Sequence, residues 1–191
     1  MMQNKPLIGI VGLSDGDPEV HAQLKDIVKA QVDAIVENLR ASGQVDVIEA
    51  KELVCSVKTA KEQAEYLKNQ GVDGTILSYG VFAFPNFSAI VAQNGKGPFL
   101  LAANLNPDWP GMVAMLAAGG ALNHLGIRHF RASGDVSQPE VLGKIYTLRE
   151  MRQGGYAPEW PEIWPDWRKE PWHVQRHRKY AGLAETIRRR Y

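Results

Sequence analysis

Apolar positions along the chain change their period several times, and each change marks an element. Leu7 to Gly12, LIGIVG, is a β-branched apolar run ended by glycine and predicts a first strand. The polar loop Ser14-Asp15-Gly16-Asp17-Pro18 follows, with Asp17 placed to cap a helix opening at Pro18. From Glu19 to Arg40, Val20, Leu24, Ile27, Val28, Val32, Ile35, Val36 and Leu39 recur at three- and four-residue spacing. That spacing predicts one long amphipathic helix, closed by Ser42-Gly43. Val45 to Ala50 predicts a second strand. Thr59, with Glu62 at the capping-box position, predicts the start of a helix running to Gln70 and stopped by Gly71.

The alternation continues. Val72 to Ser78 predicts a third strand, followed by the aromatic-rich loop Tyr79 to Asn86 and a short helix to about Gln93. Phe99 to Ala103 predicts a fourth strand. Asn104-Leu105-Asn106 breaks it, and Pro110 to Leu125 restarts as a helix of small and apolar residues. Ile127 to Ala132 predicts a fifth strand, and Pro139 to about Arg152 a last helix. Five strands alternating with helices imply a parallel sheet with right-handed crossovers. The economical arrangement is an α/β, flavodoxin-like three-layer sandwich with strand order 2-1-3-4-5.

Beyond Gly154 the pattern stops. Trp160, Trp164, Trp167 and Trp172 stand among Pro158, Pro161, Pro165 and Pro171, and prolines this frequent forbid a regular helix or central strand. From Arg168 onward eight Lys/Arg face two acids, Glu170 and Glu185. Residues 1–153 therefore predict the α/β domain, and residues 154–191 a Trp/Pro-rich basic arm docked on its own domain or on another chain.

Composition narrows the function classes. The formal net charge is +1, which offers no overall field for nucleic acid or a membrane surface, so neither is expected as a partner. One cysteine, Cys55, excludes an internal disulfide and favours a reducing compartment. The N-terminus enters a strand without a signal-peptide h-region, and no apolar run approaches the roughly 20 residues that span a bilayer. A cytoplasmic protein is expected.

The strand order would gather Leu13 to Asp17, Tyr79 to Phe84, Asn104 to Asn106 and Ser133 to Asp135 at the carboxyl edge of the sheet. Amides, carboxylates and an aromatic face suit a polyhydroxylated ligand, although the same residues also serve turns and packing. Other chemistries fit poorly. Gly9, Gly12 and Gly16 lack dinucleotide-site spacing, and no Gly-Lys-Ser/Thr follows the first strand. Ser78-Tyr79 and Ala132-Ser133 stand where a phospho-receiver domain needs aspartate and lysine. His173 and His177 have i, i+4 spacing but only Glu170 as acidic company, and His21, His124 and His129 are scattered. Cys55 has no evident activating group, and no Ser-His-Asp arrangement stands out. In the arm, Arg/Lys interleaved with Trp could stack on bases, but an oligomer arm with solvated charges is the favoured reading.

The order IGIVG–SDGD, a long helix, GVDGTILSYGVFAFP, PFLLAANLNPDWPGMVAMLAAGGALNHLG and FRASGD resembles the N-terminal domain of the L-fucose/L-arabinose isomerase superfamily. The likeness covers about Leu7 to Asp135, and Asn104-x-Asn106-x-x-x-Pro110-Gly111 is its most specific part. The resemblance implies an aldose-ketose isomerase using a divalent metal, typically manganese, held by two carboxylates and a histidine. It places those groups in middle and C-terminal domains that this chain does not contain. No catalytic or metal residue is therefore expected here, and Mn2+ only with the missing domains. The isolated chain is expected to be inactive as an isomerase.

The resemblance further implies that this domain helps close a neighbouring subunit's pocket in a homo-oligomer. Tyr79 and Phe82 are the expected sugar contacts, with Asn104, Asn106 and Asp15 completing the substrate-binding set. Val11 stands where the fucose enzymes carry an arginine. After Asp135 the likeness ends at the Trp/Pro arm, which keeps a second expectation open: a non-enzymatic protein-interaction module that uses the arm.

Overall fold

A computed structural model describes residues 5–135. Five strands and four helices alternate through these residues: β1 Leu7–Leu13, α1 Pro18–Ser42, β2 Asp46–Glu49, α2 Val57–Asn69, β3 Gly74–Tyr79, α3 Pro85–Asn94, β4 Phe99–Ala103, α4 Gly111–His124 and β5 His129–Ser133. All neighbouring strands pair in parallel, in the order β2-β1-β3-β4-β5. The expected flavodoxin-like order is the observed one. The last predicted helix, Pro139 to Arg152, and the Trp/Pro arm lie outside the described residues.

β3 and β4 are buried at every position, and β1 at all but its first. Continuous apolar runs of this kind belong to parallel strands covered on both faces. On one face Val11, Leu13, Leu77, Tyr79, Leu101 and Ala103 pack with residues of α2, α3 and α4. On the other, Ile8, Ile10, Ile76 and Leu100 pack with Val32, Ile35, Val36 and Leu39 of α1.

α1 opens and closes as its sequence requires. The Asp17 carboxylate accepts from the Glu19 and Val20 N–H groups at 2.8 and 3.2 Å, and Gly43 takes the left-handed turn at φ 65°. Its apolar stripe is shorter than the spacing predicts. Burial begins at Val28; Val20 is 37% exposed, and Leu24 and Ile27 are half-buried. The reason is length: 25 residues of helix run about 37 Å, against roughly 23 Å for the seven residues of β1. The first turns of α1 therefore project beyond the carboxyl edge of the sheet.

Two local expectations are corrected. The cap of α2 is Ser56, not Thr59: the Ser56 hydroxyl accepts from the Thr59 N–H at 3.1 Å, and the Thr59 hydroxyl accepts from the Ser56 N–H at 3.0 Å. Thr59 is thus the third residue of the first turn and closes a reciprocal capping box. β3 starts at Gly74 rather than Val72 and runs through Tyr79, which makes Tyr79 a strand residue and not the first residue of a loop.

Candidate functional site

Register decides what meets at the carboxyl edge. Leu13, Tyr79, Ala103 and Ser133 are aligned across β1, β3, β4 and β5, so Ser14, Gly80, Asn104 and Gly134 emerge side by side. Gly80 is the junction. A Cβ there would lie 3.3 Å from both Gln31 Cβ and Val28 Cα of α1, so any larger residue would push the helix back by a few tenths of an ångström. Asn104 Nδ2 donates to the Gly80 carbonyl at 3.2 Å and ties the end of β4 to the end of β3. Gly111, the first residue of α4, seats directly on the Tyr79 carbonyl, where an added Cβ would overlap the oxygen.

Three polar atoms in this region are buried without a hydrogen-bond partner: Gln31 Nε2, Asn104 Oδ1 and Ser78 Oγ. Gln31 and Asn104 are within reach of one another, with Nδ2 of the asparagine 3.5 Å from Oε1 of the glutamine. Because Gly80 fixes the asparagine amide, its oxygen is left as an acceptor and the glutamine nitrogen as a donor. Ser78 adds a hydroxyl on the same side of the sheet as Ile76, the α1 side. An unpaired buried polar group costs about 1–3 kcal/mol, so a donor, an acceptor and a hydroxyl left unpaired beneath one edge form a costly polar cluster that is closed to solvent as the chain stands.

The expected sugar contacts fall into different positions. Tyr79 is fully buried, its hydroxyl 2.8 Å from the Ser88 Oγ, and burial pushes the phenol pKa up, partly offset by that bond. Its ring belongs to the core under α3, away from solvent. Phe82 is half-buried and meets the 44%-exposed Phe84 edge-on at 5.5 Å; Phe84 in turn meets Phe87 at 5.9 Å. Gly16 lies under Phe84, which joins the first loop to the aromatic one. Asp15 and Asn106 each accept from a backbone N–H two residues on, Asp17 at 2.8 Å and Asp108 at 2.9 Å, the Asx-turn arrangement. Among the expected residues, Asn104 alone is hydrogen-bonded to the Gly80 junction. Gln31 and Ser78 were not foreseen, although both are polar residues interrupting apolar stripes.

Ser14 and His21 form a second unforeseen pair, with His21 Nδ1 2.9 Å from Ser14 Oγ. Ser14 is 0% exposed, and no further group among the described residues hydrogen-bonds the imidazole, so the pair lacks the access and the orienting partner of a nucleophilic dyad. Val11 is 0% exposed in the core on the α2 side, inside the strand rather than at its edge. Among the described residues no three His, Cys, Asp or Glu cluster to hold a metal, and no helix is long and apolar enough to cross a membrane. His173 and His177 lie outside the described residues.

Fold and edge together define a parallel α/β domain with polar groups gathered at the carboxyl ends of its central strands. The chain belongs to the family described as L-fucose isomerase, first N-terminal domain, which matches residues 5–145. A crystal structure of the Lac repressor bound to ONPG in the repressed state is similar at 16% identity, covering 80% of this chain and 55% of that one with a TM-score of 0.38. This chain thus spans about half of that structure's length. No curated protein matches it closely enough to count as a relative.

Proposed function

We propose that this domain is the substrate-binding and assembly part of a sugar isomerase that interconverts an aldose and a ketose, with the metal-dependent chemistry carried by domains outside this chain. Family membership supports the isomerase class. The observation that carries the binding role is the unpaired trio of Gln31 Nε2, Asn104 Oδ1 and Ser78 Oγ beside Gly80, all closed to solvent here, so that in this proposal a sugar reaches them only when the edge opens. A sugar hydroxyl is both donor and acceptor and satisfies the first two atoms together. Phe82 and the exposed Phe84 supply an apolar face for a ring's C–H side.

The domain's own work in this proposal is to orient hydroxyls and exclude water; it moves no proton. Manganese takes hard oxygen and imidazole ligands, and in this proposal those ligands belong to the other domains. The proposal includes a homo-oligomer in a reducing, cytoplasmic setting, in line with the single cysteine.

Titration of the 191-residue chain with L-fucose and L-arabinose, followed by amide chemical shifts, tests the site. Asn104→Ala and Gln31→Ala should each weaken sugar binding on the order of tenfold, the loss of one or two hydrogen bonds to uncharged groups. Melting curves run in parallel separate lost binding from lost structure. If neither sugar perturbs the amides around Gly80, or if both variants bind as well as the wild type, the binding role is wrong.

A further inference from the structure

An amphipathic helix needs one apolar stripe; α4 carries two. The inner stripe is Gly111, Ala114, Met115, Ala118, Gly119 and Leu122, all buried, with the Arg131 guanidinium of β5 packed against Gly119. The outer stripe is Val113, Leu116, Ala117 and Gly120, spaced i, i+3, i+4 and i+7. Val113 is 56% and Leu116 52% exposed, and a Cβ on Gly120 would meet nothing within 4 Å. Polar residues enter α4 only at its end, as Asn123 and His124. A helix apolar all round is one that is covered all round.

The chemistry of the two ends says what covers it. Exposed Asp108 stands just before α4, and exposed His124 and Arg128 stand at and just after its other end. No charge lies between them. A partner must therefore be apolar over about 21 Å, the length of 14 helical residues, and must carry a cation at one end and an anion at the other. A second copy of the same helix, turned antiparallel, meets those conditions. With its axis between Ala117 and Gly120, such a pair brings each Asp108 towards Arg128 of the other copy.

We propose that the outer face of α4 is a two-fold, antiparallel helix-to-helix interface between two copies of this chain. Ala117 and Gly120 let the two helices approach closely at its centre, while Val113 and Leu116 interdigitate around them. The self-complementary end charges fix the antiparallel direction, since a parallel pair would set Asp108 on Asp108 and Arg128 on Arg128. The face lies on the outside of α4, so it leaves the Gln31–Asn104 edge open and does not depend on sugar binding.

Sedimentation velocity of the full 191-residue chain tests this. The wild type should associate reversibly to a dimer, and Leu116→Glu should raise the dissociation constant on the order of a hundredfold by setting two carboxylates at the centre. Asp108→Arg and Arg128→Asp should each weaken the dimer roughly tenfold, because a two-fold interface makes each pair twice. The double variant Asp108→Arg/Arg128→Asp restores the pairing and should return to within about threefold of wild type. All three positions are exposed among the described residues, so circular dichroism should be unchanged. A monomeric wild type at every attainable concentration overturns the proposal, as does a dimer indifferent to Leu116→Glu. A double variant as weak as the product of its singles overturns the antiparallel pairing.

Discussion

Gly111→Ala is expected to destabilise the domain by about 3 kcal/mol, within the range of overpacking against atoms that cannot move away. The added Cβ overlaps the Tyr79 carbonyl oxygen and lies 3.1 Å from the Tyr79 carbonyl carbon and 3.2 Å from that of Gly80. All of these are backbone atoms in or next to a fully buried strand, so no rotamer change relieves the clash. Helix α4 must lift from the end of β3, and the Asn104–Gly80 bond is strained with it. Gly120→Ala is the internal control. It is in the same helix with open space around it, and alanine is favoured over glycine in a helix interior by up to about 1 kcal/mol. Urea denaturation at a concentration where the chain is monomeric should therefore show two Gly→Ala changes of opposite sign in one helix. If Gly111→Ala unfolds within about 0.5 kcal/mol of wild type, a change expected only of an uncrowded surface site, the contact between α4 and β3 is not as described.

Tyr79→Ala should cost about 4 kcal/mol, the usual scale for deleting a buried aromatic ring. The ring is 0% exposed in the larger core, and its removal also leaves the fully buried Ser88 hydroxyl without its partner at 2.8 Å. Tyr79→Phe keeps the ring and removes only the hydroxyl, so about 1–2 kcal/mol is expected. The two variants differ in their pH dependence from wild type in a definite sense. Burial raises the folded-state pKa of Tyr79 above the ordinary value of 10.0, so above about pH 10 the unfolded chain releases a proton that the folded chain retains. Stability then falls as pH rises, and below that pH the shift contributes no slope. Wild type should lose stability above pH 10 more steeply than Tyr79→Phe; parallel alkaline curves would show that the phenol is solvated in the folded protein.

The outline of the fold was legible because its signals are local and repeated. Each glycine-ended apolar run and each stretch of three- and four-residue spacing is interpretable without its neighbours, and Phe99–Ala103 was bounded as observed. Strand order followed from topology rules rather than from any residue. What stayed hidden depends on the third dimension. Gln31 falls three residues after Val28 and four before Ile35, on the buried stripe of α1, yet its significance arises only when Gly80 brings β3 beneath it. Thr59 has the residue type of a cap, and that Ser56, three residues earlier, is the cap shows only in the reciprocal bonds between the two. Tyr79 was misplaced for a simpler reason. A strand buried on both faces has no polar alternation to show which way its last residue points, and the ring turned out to follow Leu77 into the core.

The candidate site shows the same division. Asn104 was visible as an amide directly after an apolar strand, in a position where the topology demands a ligand edge. Asp15 and Asn106 carried the same signal and are engaged in turns instead, because an Asx side chain near a chain reversal finds its own backbone first. Sequence marks the residue types that can bind; only register shows which of them still have an unpaired atom.

The length of α1 has one more consequence. The turns from Pro18 to Ile27 include no fully buried residue, whereas Val28, Val32, Ile35, Val36 and Leu39 hold the remainder against the sheet. One uninterrupted hydrogen-bond ladder thus contains two opening free energies in series, a small one for fraying back to Val28 and one close to global unfolding beyond it. Amide hydrogen exchange should step from weak to strong protection within a single turn at Val28, and uniform protection along α1 would contradict this. Fraying as far as Val28 leaves every buried contact of α1 with the sheet in place.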